Sequence, residues 1–115
     1  MGVVGGIVRM WNVHPEMMCR RHLLGEHCEM HMFAGCIQKR KSINGYVEKG
    51  LVETGNIGKR HDSLAREMER RGYRHASPLR PPKCGIGGRV DSGKSARELR
   101  KRCRECRSRQ SRPQT

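Results

Sequence analysis

Residues 25–33 read GEHCEMHMF and bring three kinds of reactive group into one short, largely apolar stretch. Glu29 stands between His27 and His31. Two histidines four apart share a helix face, as in the zinc motif H-E-x-x-H. Here the glutamate follows the first histidine by two positions instead of one, which swings it toward another face. It could not serve a metal-bound water on the histidine side, so no metal is expected there. A carboxylate left among apolar side chains holds its proton toward neutral pH, the range in which a general acid/base works. The competing reading is a buried ion pair with Arg21 or with an arginine of a later helix.

Two further motifs carry possible chemistry. GRVDSGKS at 88–95 matches the phosphate loop G-x-x-x-x-G-K-[ST] letter for letter. That loop works only between a buried strand and a helix, and PPKCGIG, which precedes it, cannot be a core strand. A linker leading into a helix cap is expected instead. Cys103 and Cys106 form C-x-x-C, and Cys84, with His75, could complete four zinc ligands. A zinc ribbon would show two such knuckles, and only one is evident. Cys103 and Cys106 also share a helix face with Leu99, where cysteines serve as small hydrophobes.

The elements that must position these groups read as helices. NVHPEMM looks like a helix start, with Pro15 at the first position and Glu16 near the positive end of the dipole. From there to about residue 38 the pattern is helical. Met18, His22, Gly25, Glu29, Met32 and Cys36 recur at spacings of three and four and are expected to form one stripe, with Leu24, Cys28, His31 and Gly35 beside it. Gly25, one turn before Glu29, leaves an approach to the carboxylate. Asn44-Gly45 reads as a turn and residues 46–56 as mostly loop. A second helix is expected from Ile57 to Arg71, with Ile57, His61, Leu64 and Met68 inward, and Asp62–Arg66 and Glu67–Arg71 as i,i+4 pairs. Gly72 is its left-handed stop. After a Pro/Gly linker, Ser95 and Glu98 form a capping box that opens a short basic helix to about Arg107.

At 115 residues the chain allows one domain, expected to be all-α with about three helices. Residues 1–8 read as a structureless leader, 9–79 as the helical domain, and 80–115 as a basic linker, short helix and partly disordered tail. The net charge is +14, distributed unevenly. Residues 1–38 carry three Lys/Arg against three Asp/Glu, residues 39–76 ten against five, and residues 77–115 twelve against three. A neutral first third followed by an increasingly basic chain points to nucleic acid as partner. No apolar run approaches the ~20 residues of a membrane span, and no signal peptide is evident. A cytoplasmic, nucleoid-associated monomer with reduced cysteines is expected.

RMWNVHPEMMCRRHLLGEHCEMHMFAG resembles the amino-terminal segment of the phage-type pyrimidine-dimer DNA glycosylases with abasic-site lyase activity, the endonuclease V family. The matching features are Arg9, His22-Leu23, Glu26, Glu29 two residues after His27, and Gly35. RHDSLAREMERRGY at 60–73 resembles that family's later helix, and the resemblance spans about residues 9–79. It implies an all-α enzyme that acts on damaged double-stranded DNA without metal or cofactor. The α-amine of the chain attacks the deoxyribose anomeric carbon, expels the damaged base, forms a Schiff base and cuts the strand by β-elimination. An amine suits this because it is neutral near pH 8 and its iminium withdraws electrons.

By the same resemblance the catalytic glutamate falls on Glu29 and a histidine near the site on His22. Arg9 would hold phosphate, and Arg20, Arg21, Lys39, Arg40, Lys41 and Tyr73 would contact nucleic acid, with Trp11 also available to wedge into an opened duplex. Two family arginines that grip kinked DNA fall on Cys28 and Met32, so the preferred lesion is left open. The nucleophile's counterpart is about Val8, which is internal here. A start at Val8 or Met10 is expected to supply the free amine; trimming, a substituting lysine or loss of activity are the alternatives. The other functional reading is a non-enzymatic basic nucleic-acid-binding module, stabilised by zinc through Cys84, Cys103 and Cys106.

Overall fold

A computed structural model describes residues 8–111 except 81, 83 and 86. The expected leader at 1–7 and the tail's end at 112–115, including Arg112, lie outside the described residues. Among the described residues there are five α-helices: α1 (Arg20–Gln38), α2 (Asn44–Glu48), α3 (Ile57–Arg70), α4 (Ser92–Arg102) and α5 (Arg104–Gln110), with 3-10 turns at Pro15–Met17 and Thr54–Asn56. No strand occurs among the described residues, so the fold is all-α. No described helix is long and apolar enough to cross a membrane.

The helix start expected at Pro15 is split. Pro15 opens only a 3-10 turn, and α1 begins after Cys19, whose sulfur accepts the His22 N–H. Inside α1 the buried positions are Leu23, Glu26, His27, Met30, Phe33 and Ala34. The expected stripe through Met32 and Cys36 is therefore rotated by about one residue, or 100°. Met32 is exposed, and Glu29 sits at the margin of the buried face. The register follows from packing against α3, whose Ile57, His61, Leu64 and Met68 point inward as expected.

Between the two helices lies the ion pair Glu26–Arg60, with Nε–Oε2 at 2.6 Å and Nη2–Oε1 at 2.9 Å. Arg60 also donates to the Val13 carbonyl at 2.7 Å. A buried Glu–Arg pair does exist, one turn earlier than Glu29. The Glu67–Arg71 pair forms at 2.7 Å. Asp62 turns instead to His61, and Arg66 to Ser63. Gly72, at φ +84°, ends α3 with the Tyr73 N–H bonded to the Met68 carbonyl.

Three corrections concern the connections. Asn44-Gly45 opens α2 instead of making a turn. The capping residue of α4 is Asp91, whose Oδ1 accepts the Lys94 N–H at 3.0 Å; Ser95 is fully buried inside the helix. The single basic helix expected to Arg107 is broken at Cys103, whose extended backbone ends α4 and whose sulfur caps α5.

The phosphate-loop-like stretch is used for packing. Gly88 lies at φ +82°, where an added Cβ would stand 2.1 Å from the Val52 carbonyl oxygen. Thr54 ties the same segment down, its N–H to the Gly87 carbonyl at 2.9 Å and its hydroxyl to the Gly85 carbonyl at 2.8 Å. The segment returns α4 and α5 to the start of the chain. Leu99, Cys103 and Cys106 join the core that holds Met10, Trp11 and Met18. Arg109 donates to the Glu16 carbonyl at 2.9 Å.

Candidate active site

Glu29 is set on α1 against the irregular segment 8–13, in which Asn12 stands at φ +57°. The Met10 N–H donates to the Leu51 carbonyl at 2.7 Å and fixes the segment's path. One residue earlier, the Arg9 main-chain N–H donates to Glu29 Oε1 at 3.2 Å. Among the described residues nothing outside the helix's own turns approaches within 4 Å of where a Gly25 Cβ would stand, so they leave space one turn before Glu29. Burial raises the Glu29 pKa to about 7; the Glu26 carboxylate adds to this, while the Arg9 N–H and guanidinium oppose it. A carboxyl that titrates near neutral pH can both give and take a proton.

The Arg9 guanidinium faces inward. It donates to Ser95 Oγ at 2.7 Å and lies 4.1 Å over the Trp11 ring, with burial lowering its pKa. Its Nε has no hydrogen-bond partner among the described residues. The expected phosphate grip is thus met in this structure by protein groups on α4 and segment 8–13. Trp11 is covered on one face by Arg9 and touched at its edge by His22, and is 6% exposed. The wedge role expected for it is corrected: a ring enclosed by its own fold cannot enter a duplex.

His22 is drawn to sulfur. Its Nδ1 stands 3.3 Å from Cys19 Sγ and 3.5 Å from Cys106 Sγ. It precedes Glu29 by two helical turns, about 10 Å of axis. The zinc set expected from Cys84, Cys103 and Cys106 is also corrected. Cys84 is exposed and bonds the Thr54 carbonyl at 3.6 Å. Cys19 and His22 are the groups that join Cys103 and Cys106, all four within 4.8 Å of one another.

A second group, not anticipated as such, gathers His27, His61 and His75. His75 Nε2 and His27 Nε2 are 3.0 Å apart, and His31 packs edge-on against His61. Burial first, and then the neighbouring histidines, lower the His27 pKa to about 4 and shift that of His31 downward. His27 and His31 therefore belong to an inter-helix stack with α3, not to a motif centred on Glu29.

The remaining expected contacts lie outside the core. Arg20 and Arg21 are exposed at the start of α1, and Arg20 stacks over the half-buried Tyr73 at 5.3 Å. Lys39, Arg40 and Lys41 are exposed beyond the other end of the helix. A groove of about 520 Å³ is lined by Arg9 together with Lys49, Arg89, Lys94 and Arg102, and by the acids Glu48, Asp91 and Glu98. The sequence signal missed here was the pairing of Cys19-x-x-His22 with Cys103-x-x-Cys106, two like-spaced pairs from distant parts of the chain.

In comparison with known proteins, the family model described as pyrimidine dimer DNA glycosylase matches residues 8–81. No curated protein and no solved structure matches the chain. The matched segment begins at the residue preceding the Glu29 contact, runs through α1 and α3 and covers more than half of the sequence, and the chain belongs to the pyrimidine dimer DNA glycosylase family.

Proposed function

We propose that the chain is a DNA glycosylase and abasic-site lyase that works through an α-amine freed next to Glu29. The observation that carries this reading is the 3.2 Å contact between the Arg9 main-chain nitrogen and the Glu29 carboxylate. A chain starting at Val8 has its amine one residue from that contact. The neutral amine attacks C1′ of the damaged nucleotide, the base departs with the bonding pair and takes up a proton that the new C–N nitrogen releases, and the C1′–O4′ bond then opens, O4′ leaving as a protonated hydroxyl, so that an iminium remains. Loss of the C2′ proton then expels the 3′ phosphate oxygen by β-elimination. Glu29 holds and moves protons on the sugar, and as a carboxylate it stabilises the iminium. Pyrimidine-dimer-type lesions are the substrate class that the family supports.

Arg9 acts in this reading as a positioning residue. Its guanidinium, held by Ser95 and Trp11, sets the main-chain nitrogen against Glu29. Lys39, Arg40, Lys41, Arg20, Arg21 and Tyr73 are proposed to grip the duplex on either side.

Reductive trapping tests the reading. With borohydride and abasic-site duplex, a chain beginning at Val8 should form a covalent protein–DNA adduct with no metal added. The same chain acetylated at its amine should form none. Glu29→Gln should bind the duplex and lose at least 100-fold in cleavage. Absence of an adduct from the Val8 chain, with duplex binding intact, would leave only a basic DNA-coating protein.

A further inference from the structure

We propose that Cys19, His22, Cys103 and Cys106 bind a single structural zinc ion that fastens the C-terminal basic helices to the start of α1. The four ligand atoms lie within 4.8 Å of one another. Cys19 Sγ and Cys103 Sγ are 3.8 Å apart, the edge of a tetrahedron with Zn–S bonds of about 2.3 Å. His22 Nδ1 faces two of the sulfurs, at 3.3 and 3.5 Å. Three of the four residues are buried and His22 is half-buried, so the set is closed, as structural zinc sites are.

Each sulfur also receives a main-chain N–H. Cys19 N–H donates to Cys106 Sγ at 3.3 Å, His22 N–H to Cys19 Sγ at 3.5 Å, and Cys106 N–H to Cys103 Sγ at 3.5 Å. Such donors stabilise thiolates, the form that binds a metal. Three thiolates with one neutral imidazole suit zinc in preference to harder ions, and loading releases up to three thiol protons.

The composition of the C-terminal segment supplies the need. Only Val90, Leu99, Cys103 and Cys106 among the apolar residues of 88–111 are buried. That is a thin apolar anchor for two helices that carry Lys94, Arg97, Arg100, Lys101, Arg102, Arg104 and Arg107. The consequence reaches the Glu29 region, since α4 also provides Ser95 to Arg9. The histidine group is a poorer candidate. Both nitrogens of His61 are already taken up by oxygens, Asp62 Oδ1 at 2.9 Å and the Ser77 carbonyl at 3.0 Å, so neither faces a shared centre with His27 and His75 without giving up a contact.

The site is independent of the lyase reading, and its test does not use activity. The full chain, purified without a metal-affinity step, should contain one zinc per molecule by elemental analysis. Alkylation should modify Cys28, Cys36 and Cys84 rapidly, and Cys19, Cys103 and Cys106 only after a strong chelator is added. Cobalt exchanged into the site should give thiolate charge-transfer and tetrahedral d–d absorption. Cys84→Ser should keep the zinc and Cys106→Ser should lose it. Because Cys106→Ser could unfold the chain, His22→Cys serves as the second variant: it should keep the metal and strengthen the cobalt charge-transfer band. A chain that takes up no zinc, a Cys19–Cys103 disulfide in the native protein, or metal lost equally on Cys84→Ser or His75→Asn would each overturn the assignment.

Discussion

At the scale of residues, Glu26 and Glu29 lie three apart on one helix and are handled in opposite ways. Glu26 is fully enclosed and meets a fork of Arg60 nitrogens. Glu29 is half-buried and among the described residues receives a single N–H, which is too little to offset its desolvation. Its pKa of about 7 has a consequence for stability. The folded state binds the proton more tightly than the unfolded state, where the value is near 4.5. The stabilising contribution is thus complete below about pH 4.5 and is lost as pH rises through about 7. Glu29→Gln keeps an oxygen acceptor for the Arg9 N–H and removes the buried charge. At pH 8 the variant should be more stable than the parent by on the order of 1 kcal/mol once solvent screening is discounted, and the difference should shrink to about a quarter of that at pH 5. Thermal melts of both chains at the two pH values read this directly. A variant less stable than the parent at pH 8 would show that the carboxylate is well satisfied and that no proton is poised there.

At the scale of elements, the α1–α3 contact depends on Arg60, which reaches Glu26, the Val13 carbonyl and Met18 Sδ together. Breaking a buried pair from one side leaves an uncompensated charge, at a cost of about 3–5 kcal/mol. Glu26→Leu and Arg60→Met should each destabilise by about that amount, whereas the double variant should lose clearly less than their sum. Urea unfolding of the four chains measures the coupling, and strict additivity would remove the pair from the account of this interface. This contact also explains what could be read from the sequence and what could not. The inner face of α3 was legible because Ile57, Leu64 and Met68 are the only large apolar residues of that helix, and they fall on one stripe. On α1, apolar, histidine and small residues surround the axis, so its phase was ambiguous by one position. Only the burial of Glu26 against Arg60 resolves it, and a carboxylate is not what periodicity selects as core. For Glu29 the sequence offered either a proton-holding carboxyl or half of a buried ion pair, on a stripe that the structure rotates by one position, and the bond from the Arg9 N–H lay in no local pattern. The partnership of Cys19 and His22 with Cys103 and Cys106 was not legible, since it depends on a chain return of more than eighty residues that no local pattern encodes.

At the scale of the whole molecule, a net charge of +14 must be apportioned between general attraction to DNA and contacts that seat it. The groove beside Arg9 is the concave surface adjoining the segment whose main chain meets Glu29. Of its exposed cations Arg102 is paired with Glu98 at 3.0 Å, while Lys49, Arg89 and Lys94 come from three separate parts of the chain. If a duplex bound for Glu29 lies along this groove, each of the three neutralises one phosphate and releases condensed counterions. The slope of log K against log salt would carry about 0.9 from each. Replacing all three by glutamine should therefore flatten the slope for abasic duplex by roughly 2.7. Replacing Lys39, Arg40 and Lys41, which begin ten residues or about 15 Å beyond Glu29 along the α1 axis, should flatten it by a similar amount if the duplex continues past the end of that helix. The two effects should add, because the clusters are far enough apart not to share a phosphate. Fluorescence anisotropy titrations over a salt series give all four slopes. An unchanged slope for the groove variant, with weakened binding confined to the other, would turn the duplex axis away from Arg9 and leave Glu29 without a sugar to act on.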